Sequence, residues 1–541
     1  MQLNFTIDDS LVLILYLLIT VGIGFYYSKG DEKTLEGYFL GNRSFGWFSI
    51  GLAIFATNIS SEHFIGLAGS GASRGLAVGQ FELMAIFTLV LLGWFFAPIY
   101  HNSGVLTVPE FMEKRFDARI RKVLAIFSIV LYIFTKITLS LVAGGFLFNI
   151  LFGISIYNSA ILLVLITGIY TIIGGMRAIV KTQIFQAIVL IVAATVMTIY
   201  SLSAAGGISG ITSNLSSDYF TMFKPINDPD YPWTGIVFGA PIVAFWYWCT
   251  DQYMVQKTMA ARSIDQSRKG TLFAAVLKIL PIFILVVPGL AAKSINPAVN
   301  GDNAFPFLMM SNILPVGIKG LVIAGVLAAV MSSLAASFNS VAALFTNDIY
   351  KTFNPEASER KLVLIGRLAS LTVVIIAILL VPMTKLVNSE MYIYLQSLQA
   401  YVAASVTAIF LLGFFVQSIS SRAVFYSFII GEAIGLGRFA LDMLRLSDTQ
   451  LPYVFAMIAE INFLHFSIIL FIATVVMLYG FSFAFKDVVK KTTDTPLTIP
   501  SFHRVNKFSL NMRGELTANR TNILLSAFLF LFIIGLWTLW Y

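Results

Sequence analysis

Long apolar runs alternate along the chain with short polar segments. About fourteen of them approach the roughly 20 residues that a helix needs to cross the hydrocarbon core of a bilayer. They lie at 10–28, 46–67, 76–100, 123–151, 156–175, 182–205, 233–256, 271–292, 316–347, 362–384, 391–416, 423–442, 460–482 and 521–541. Backbone groups in lipid must pair within their own segment, so these runs predict membrane-spanning helices. The alternating ten-residue strands of a membrane barrel are absent from the pattern. The first run has no basic stretch before it and reads as a retained helix rather than a cleaved signal.

Composition fits. Of 541 residues, 58% are hydrophobic and 11% charged, against roughly 25% charged in soluble domains. The chain reads as an all-α polytopic membrane protein surrounded by lipid. The excess of 35 Lys and Arg over 27 Asp and Glu lies mostly in short loops. It is better explained by topology than by a nucleic-acid partner. Loops on one side carry Lys29, Lys33, Arg43, Lys114, Arg115, Arg119, Arg121, Lys122, Arg177, Lys181, Lys257, Arg262, Arg268, Lys269, Lys351, Arg360, Lys361 and Arg422, with more in 486–520. That side is cytoplasmic by the positive-inside rule, and both termini fall outside. Residues 486–520 then form a cytoplasmic linker, and 206–232 the longest outer loop. The single cysteine, Cys249, excludes an intramolecular disulfide, and His63, His101, His465 and His503 make no metal-binding spacing. No phosphate-binding Walker loop is present, which argues against ATP-driven transport.

A charge within the membrane costs a few kcal/mol and marks a candidate functional site. Glu82, Lys136, Lys278, Asp251 and Glu432 stand in or near apolar runs, and Glu62 and His63 interrupt another. Paired structural residues are the plain alternative for each, most of all for Lys136 and Glu432. Three clusters are distinctive. Six of the eight residues in Ala56-Thr57-Asn58-Ile59-Ser60-Ser61-Glu62-His63 can hydrogen-bond through side chains. They compete with helical backbone bonding, so a break here would turn carbonyls toward a cavity. Ala329, Ser332 and Ser333 share one helix face at i, i+3 and i+4. Two hydroxyls and a freed carbonyl would suit a weakly held monovalent cation; close packing through small residues is the alternative. Phe245-Trp246-Tyr247-Trp248-Cys249-Thr250-Asp251-Gln252 joins aromatic faces to polar groups, which suits a sugar ring or an interfacial aromatic belt. No nucleophile–base arrangement emerges, which argues against an enzyme.

In order and spacing these clusters resemble the sodium/solute symporter family, and most closely its sodium/glucose (galactose) cotransporter branch. NISSEHFIGLAGSGASRGLAVGQFE (58–82), GVLTVPEFMEKRF (104–116), LYIFTKI (131–137), YTIIGGM (170–176), WYWCTDQYMVQK (246–257), LKILPIFILVVPG (277–289) and MSSLAASFNSVAALFTNDIY (331–350) carry the resemblance. It implies a LeuT-like fold of about fourteen transmembrane helices: two inverted five-helix repeats at 46–205 and 233–416, with one helix before them and three after. It implies a sodium site from Ala56, Ile59, Ala329, Ser332 and Ser333, and a sugar site from Asn58, His63, Glu82, Lys278 and Gln396, with Tyr247 and Trp248 as inner-gate and stacking aromatics. His63 matches the animal glucose cotransporters rather than the bacterial galactose symporter.

Some positions depart from relatives. Ala244 and Ala85 replace polar residues near the sugar, which leaves glucose, galactose or a polyol such as myo-inositol open. Gln183, Ala335 and Ala336 replace the Asp and hydroxyl residues of relatives that move two sodium ions. The resemblance therefore implies one co-transported sodium ion per small-molecule sugar. Amino acids or carboxylates as solute, and a sodium channel or sugar sensor as role, stand as rivals. The expected location is the plasma membrane, with compact length favouring a bacterial inner membrane.

Overall fold

The computed structural model describes residues 5–28, 33–380, 391–446, 450–485 and 519–541. It is helical throughout, and its only β-pairings among these residues are the isolated bridges Phe45–Ala261 and Lys224–Pro232. The expected 486–520 linker lies almost wholly outside the described residues.

Helix α1 (Ile7–Tyr27) is capped by Thr6 and Asp9 and runs along the outside of the bundle. The next span is broken into α2 (Trp47–Asn58) and α3 (61–74). Then come α4 (79–103) and α5 (118–152). A 49-residue run, Ile156–Ala204, holds two antiparallel spans, α6 (156–174) and α7 (176–204). They meet at Gly175, whose φ of 52° and ψ of −153° only glycine adopts without strain. A second broken span follows as α8 (Gly235–Thr250) and α9 (Gln252–Met259). The chain continues through α10 (Ile264–Ile295), α11 (Ile318–Phe353), α12 (Glu359–Leu380), α13 (Met391–Phe415), α14 (Ser421–Leu446), α15 (Phe463–Ala484) and α16 (Arg520–Leu539). Among the described residues, eleven helical runs are long and apolar enough to cross a membrane, with α3 and α4, and α6 and α7, each counted as one run. Fourteen expected spans do not map onto them one for one, because two spans are broken and two pairs run together.

Hydrophobicity is distributed as lipid solvation demands. Large apolar side chains such as Ile14, Leu18, Leu162, Ile199, Ile375 and Val476 are exposed on the outer helices. The centre is built from small and polar residues: nearly all of α11 is buried, including Ser332, Ser333, Ser337, Asn339 and Ser340. Small residues let backbones approach closely. A Cβ on Gly289 of α10 would lie 2.0 Å from the Ala68 carbonyl of α3. Three cations read as loop residues are in fact buried in helices. Arg115, at the end of the short helix Val108–Arg115, donates from Nε to Gly413 O at 2.8 Å. Lys257 donates from Nζ to Tyr253 O at 2.9 Å, and Arg268 lies 4.5 Å above the Trp94 ring and bonds Asn519 Oδ1 at 2.9 Å.

Candidate functional site

The two broken spans make the site. In the first, helical backbone ends at Asn58, and Ile59 is extended (φ −76°, ψ 116°). Ser60 then donates its N–H to His63 Nδ1 at 3.4 Å, and Ser61 Oγ bonds Ser140 O on α5 at 3.1 Å. The polar run thus finds partners off the helix axis. In the second, Asp251 is extended (ψ 122°) and its carboxylate accepts from Tyr253 N at 3.2 Å. Tyr132 OH bonds the same carboxylate oxygen, and Lys136 Nζ lies 3.6 Å from the other. The sequence pattern marked Asp251 as a charge in or near an apolar run; its place at the second break was not foreseen.

The last turn of α2 meets α11. Ser332 Oγ lies 2.7 Å from Ala56 O and 2.9 Å from Ala329 O. Ser333 Oγ bonds Thr57 O at 3.0 Å, and Tyr253 OH bonds the same carbonyl at 2.6 Å. Gln183 on α7 donates to Thr57 Oγ1 at 2.9 Å and to Ser332 O at 3.1 Å. Ala56, Ala329, Ser332 and Ser333 are therefore brought together, with Ile59 at the adjacent break. All five are buried. The oxygens gathered here are uncharged carbonyls and hydroxyls.

One helical turn away, a cavity with an empty volume of about 670 Å³ is lined by every expected solute residue: Asn58, His63, Glu82, Tyr247, Trp248, Lys278 and Gln396. A continuous hydrogen-bonded chain crosses it. Asn58 Nδ2 donates to the Tyr247 hydroxyl at 3.1 Å, and Asn58 Oδ1 accepts from Lys278 Nζ at 2.7 Å. Lys278 also pairs with Glu82, whose other oxygen accepts from Tyr392 OH at 3.4 Å. Gln396 Nε2 reaches Tyr392 OH at 3.3 Å. Trp248 presents its ring below Lys278, 5.6 Å from Nζ. Two acidic side chains, Glu62 and Glu82, and two basic ones, Lys136 and Lys278, line the same space. Ala85 and Ala244 supply apolar wall.

A profile of the sodium:solute symporter family matches residues 38–431. The chain belongs to the sodium:solute symporter family. It is 35% identical over 508 residues to sodium/myo-inositol cotransporter 2 of Bos taurus, covering 86% of this chain and 75% of that protein. To sodium/glucose cotransporter 1 of Ovis aries it is 32% identical over 528 residues, covering 89% and 79%. Its fold is that of a Na+-coupled sialic acid symporter solved in a substrate-bound outward-open state. The TM-score is 0.76 at 23% identity, over 89% of this chain and 99% of that one. The protein is thus a multi-pass, sodium-coupled solute symporter with a LeuT-like fold, and its family is one of transporters, not enzymes.

Two residues of this candidate site escaped the sequence reading, and a third was weighed there mainly as structural. Tyr392 bridges Glu82 and Gln396; it stands four residues before Gln396, so their shared helix face was the available signal. Thr57 receives two hydroxyls on its carbonyl, yet lies unremarked within a cluster that was recognised. Lys136, read chiefly as structural, sits 3.9 Å above the Tyr247 ring and lines the cavity.

Proposed function

We propose that this symporter couples the entry of one sodium ion to that of one neutral, polyhydroxylated ring, a glucose- or galactose-like hexose, across a plasma membrane, a bacterial inner membrane in our reading. The observation that carries the reading is the hydrogen-bonded chain Tyr247–Asn58–Lys278–Glu82–Tyr392–Gln396 around one cavity. Such a chain offers alternating donors and acceptors to a rim of hydroxyls, while Trp248 offers an aromatic face to the ring's C–H surface. Balanced charges argue for a neutral solute. An anion held by Lys278 would compete with Glu82, and an ammonium held by Glu82 with Lys278. A cyclic polyol such as myo-inositol is the second reading, favoured by the apolar Ala85 and Ala244 walls, which withdraw two polar contacts from a hexose.

In this reading sodium occupies the oxygens of Ala56, Ile59, Ala329, Ser332 and Ser333, joining α2 to α11 and holding the break open toward the cavity. Solute then docks on Asn58, His63, Glu82, Lys278 and Gln396. The repeats at 46–205 and 233–416 rock about the pair, and Tyr247 yields by releasing Asn58 and Lys136. Gln183 supports a single sodium. It fills its position with an amide donor to Thr57 and Ser332, where a second cation would need a carboxylate. One charge crossing about 150 mV supplies roughly 3.5 kcal/mol. A tenfold sodium gradient adds about 1.4 kcal/mol. Together they sustain accumulation of a few thousand-fold at most.

The test is uptake into proteoliposomes, with and without an inward sodium gradient, of radiolabelled hexoses, N-acetylhexosamines, inositols, proline and short carboxylates. Sodium-dependent accumulation of a neutral ring above its external concentration is expected. Accumulation of a carboxylate or amino acid alone would overturn the reading. Sodium conductance without accumulation would assign a channel or sensor instead.

A further inference from the structure

We infer that the cytoplasmic face carries a binding site for a phosphate-bearing anion, the headgroup of an anionic phospholipid, between the loop entering α2 and the first turns of α7. The inference is independent of which solute the protein carries. A pocket with an empty volume of about 940 Å³ is lined there by Gly37, Gly41, Asn42, Ser44, Ser49, Arg177 and Lys181, among others. Arg177 and Lys181 stand at i and i+4 on α7, one above the other. Among the described residues neither has a carboxylate partner; Lys181 lies 5.3 Å from the ring of Tyr27, and Arg177 is exposed. The described acids nearby are engaged elsewhere. Glu36 is held by Arg43 at 2.6 Å and Asp265 by Lys269 at 2.8 Å.

The opposite wall is also built for an anion. Helix α2 starts at Gly46 without a side-chain cap, and Gly46 and Ser49 line the pocket. The N–H of Trp47 is taken by Gln266 Oε1 at 3.0 Å, but those of Phe48 and Ser49 have no acceptor within their helix. The positive end of that helix dipole therefore faces the two cations across the pocket. Two independent positive features converge on one space with no compensating carboxylate among the described residues.

The surroundings choose a lipid over a soluble phosphate. Tyr26, Trp47 and Phe48 are 70%, 41% and 45% exposed beside the pocket, in keeping with the aromatic belt that marks headgroup level. Ile169 and Ile173, on the last turns of α6 just before Arg177, are exposed on the lipid side and offer a surface for acyl chains. Clustered basic residues at the cytoplasmic interface are the usual basis of anionic-lipid recognition.

The experiment uses the purified full-length protein in neutral detergent. Binding is followed by the shift in thermal unfolding on titration with dioctanoyl phosphatidylglycerol, dioctanoyl phosphatidylcholine or inorganic phosphate. Phosphatidylglycerol should stabilise the wild type, while phosphatidylcholine and inorganic phosphate at equal concentration should not. Two interfacial basic residues together are worth about a thirty-fold change in anionic-lipid affinity. That loss is expected of Arg177→Gln/Lys181→Gln, whereas the charge-preserving Arg177→Lys/Lys181→Arg should bind nearly as wild type. Should the double glutamine variant fail to fold, Lys181→Gln alone should weaken binding about five-fold. Equal lipid affinity in wild type and glutamine variants would overturn the site. An equal response to inorganic phosphate would overturn the lipid as its occupant.

Discussion

Replacing Ser332 by alanine separates a cation ligand from a structural staple. The hydroxyl is fully buried, 2.7 Å from Ala56 O and 2.9 Å from Ala329 O, so its removal touches α2 and α11 and nothing else in the cavity. If the oxygen holds sodium, the lost contact is one to a charge, worth about 1.5–3 kcal/mol. The half-saturating sodium concentration for uptake should then rise roughly ten- to 150-fold. Linkage makes the prediction sharper. Sodium and solute each change the other's affinity by one common factor. The apparent solute affinity should therefore fall at low sodium and recover when sodium is raised well above its new midpoint. Initial uptake rates in proteoliposomes over a grid of sodium and solute concentrations read both effects, and thermal unfolding without sodium reads the fold. A staple gives the opposite result: an unchanged sodium midpoint with a lowered melting temperature. That outcome, or lost solute binding at normal sodium affinity, would remove Ser332 from the cation site.

Glu82→Ala should abolish most solute uptake, by a factor of roughly 100 for a lost hydrogen bond to charge with its partners unbalanced. Lys278 keeps Asn58 Oδ1 at 2.7 Å, so the fold and the sodium-induced thermal shift should persist; unaltered uptake would refute the assignment. Parallel sodium and solute fluxes should give a ratio near one, and a ratio near two would show a second sodium that Gln183 does not exclude. Asp251→Asn should destabilise the protein by about 3–5 kcal/mol, because it leaves Lys136 buried without its carboxylate. Lys136→Met combined with it should recover much of that loss in thermal unfolding. A double variant no more stable than the single one would show that the pair is not what Asp251 contributes.

Spans and their order were legible because lipid imposes a simple rule: long apolar runs, with charges confined to the ends or to a purpose. The first break was legible for the same reason, since six hydrogen-bonding side chains in Ala56–His63 have no business on a lipid-facing helix. The second break was not. Asp251 sits among aromatic residues, and what bends the chain there is tertiary: Tyr132 and Lys136, more than a hundred residues earlier in the chain, stabilise a carboxylate that caps α9. Lys257 and Arg268 misled the count of loop cations for a related reason. A carbonyl, an aromatic ring and an amide satisfy them inside the bundle, and none of these is visible as a charge pattern. Tyr392 joined the site through Glu82, 310 positions away. Local periodicity shows which face a residue occupies, but not which helix stands opposite it.

In the proposed mechanism, coupling comes down to three consecutive residues. The carbonyls of Ala56 and Thr57 face the hydroxyls of Ser332 and Ser333, while the side chain of Asn58 faces Lys278 and Tyr247. No flexible segment separates the two sets of contacts; they are successive positions on the last turn of one broken helix. On the proposed assignment, a cation held at the Ala56 carbonyl and Ser332 pulls on the position two before Asn58, and through it on the hydrogen-bonded chain proposed to receive the solute. Tyr253 adds the cytoplasmic half of the second broken span to the same point, because its hydroxyl shares the Thr57 carbonyl with Ser333. The carbonyl of Thr57 is thus an acceptor shared by α11, through Ser333, and by α9, through Tyr253, one residue before the Asn58 side chain that lines the cavity.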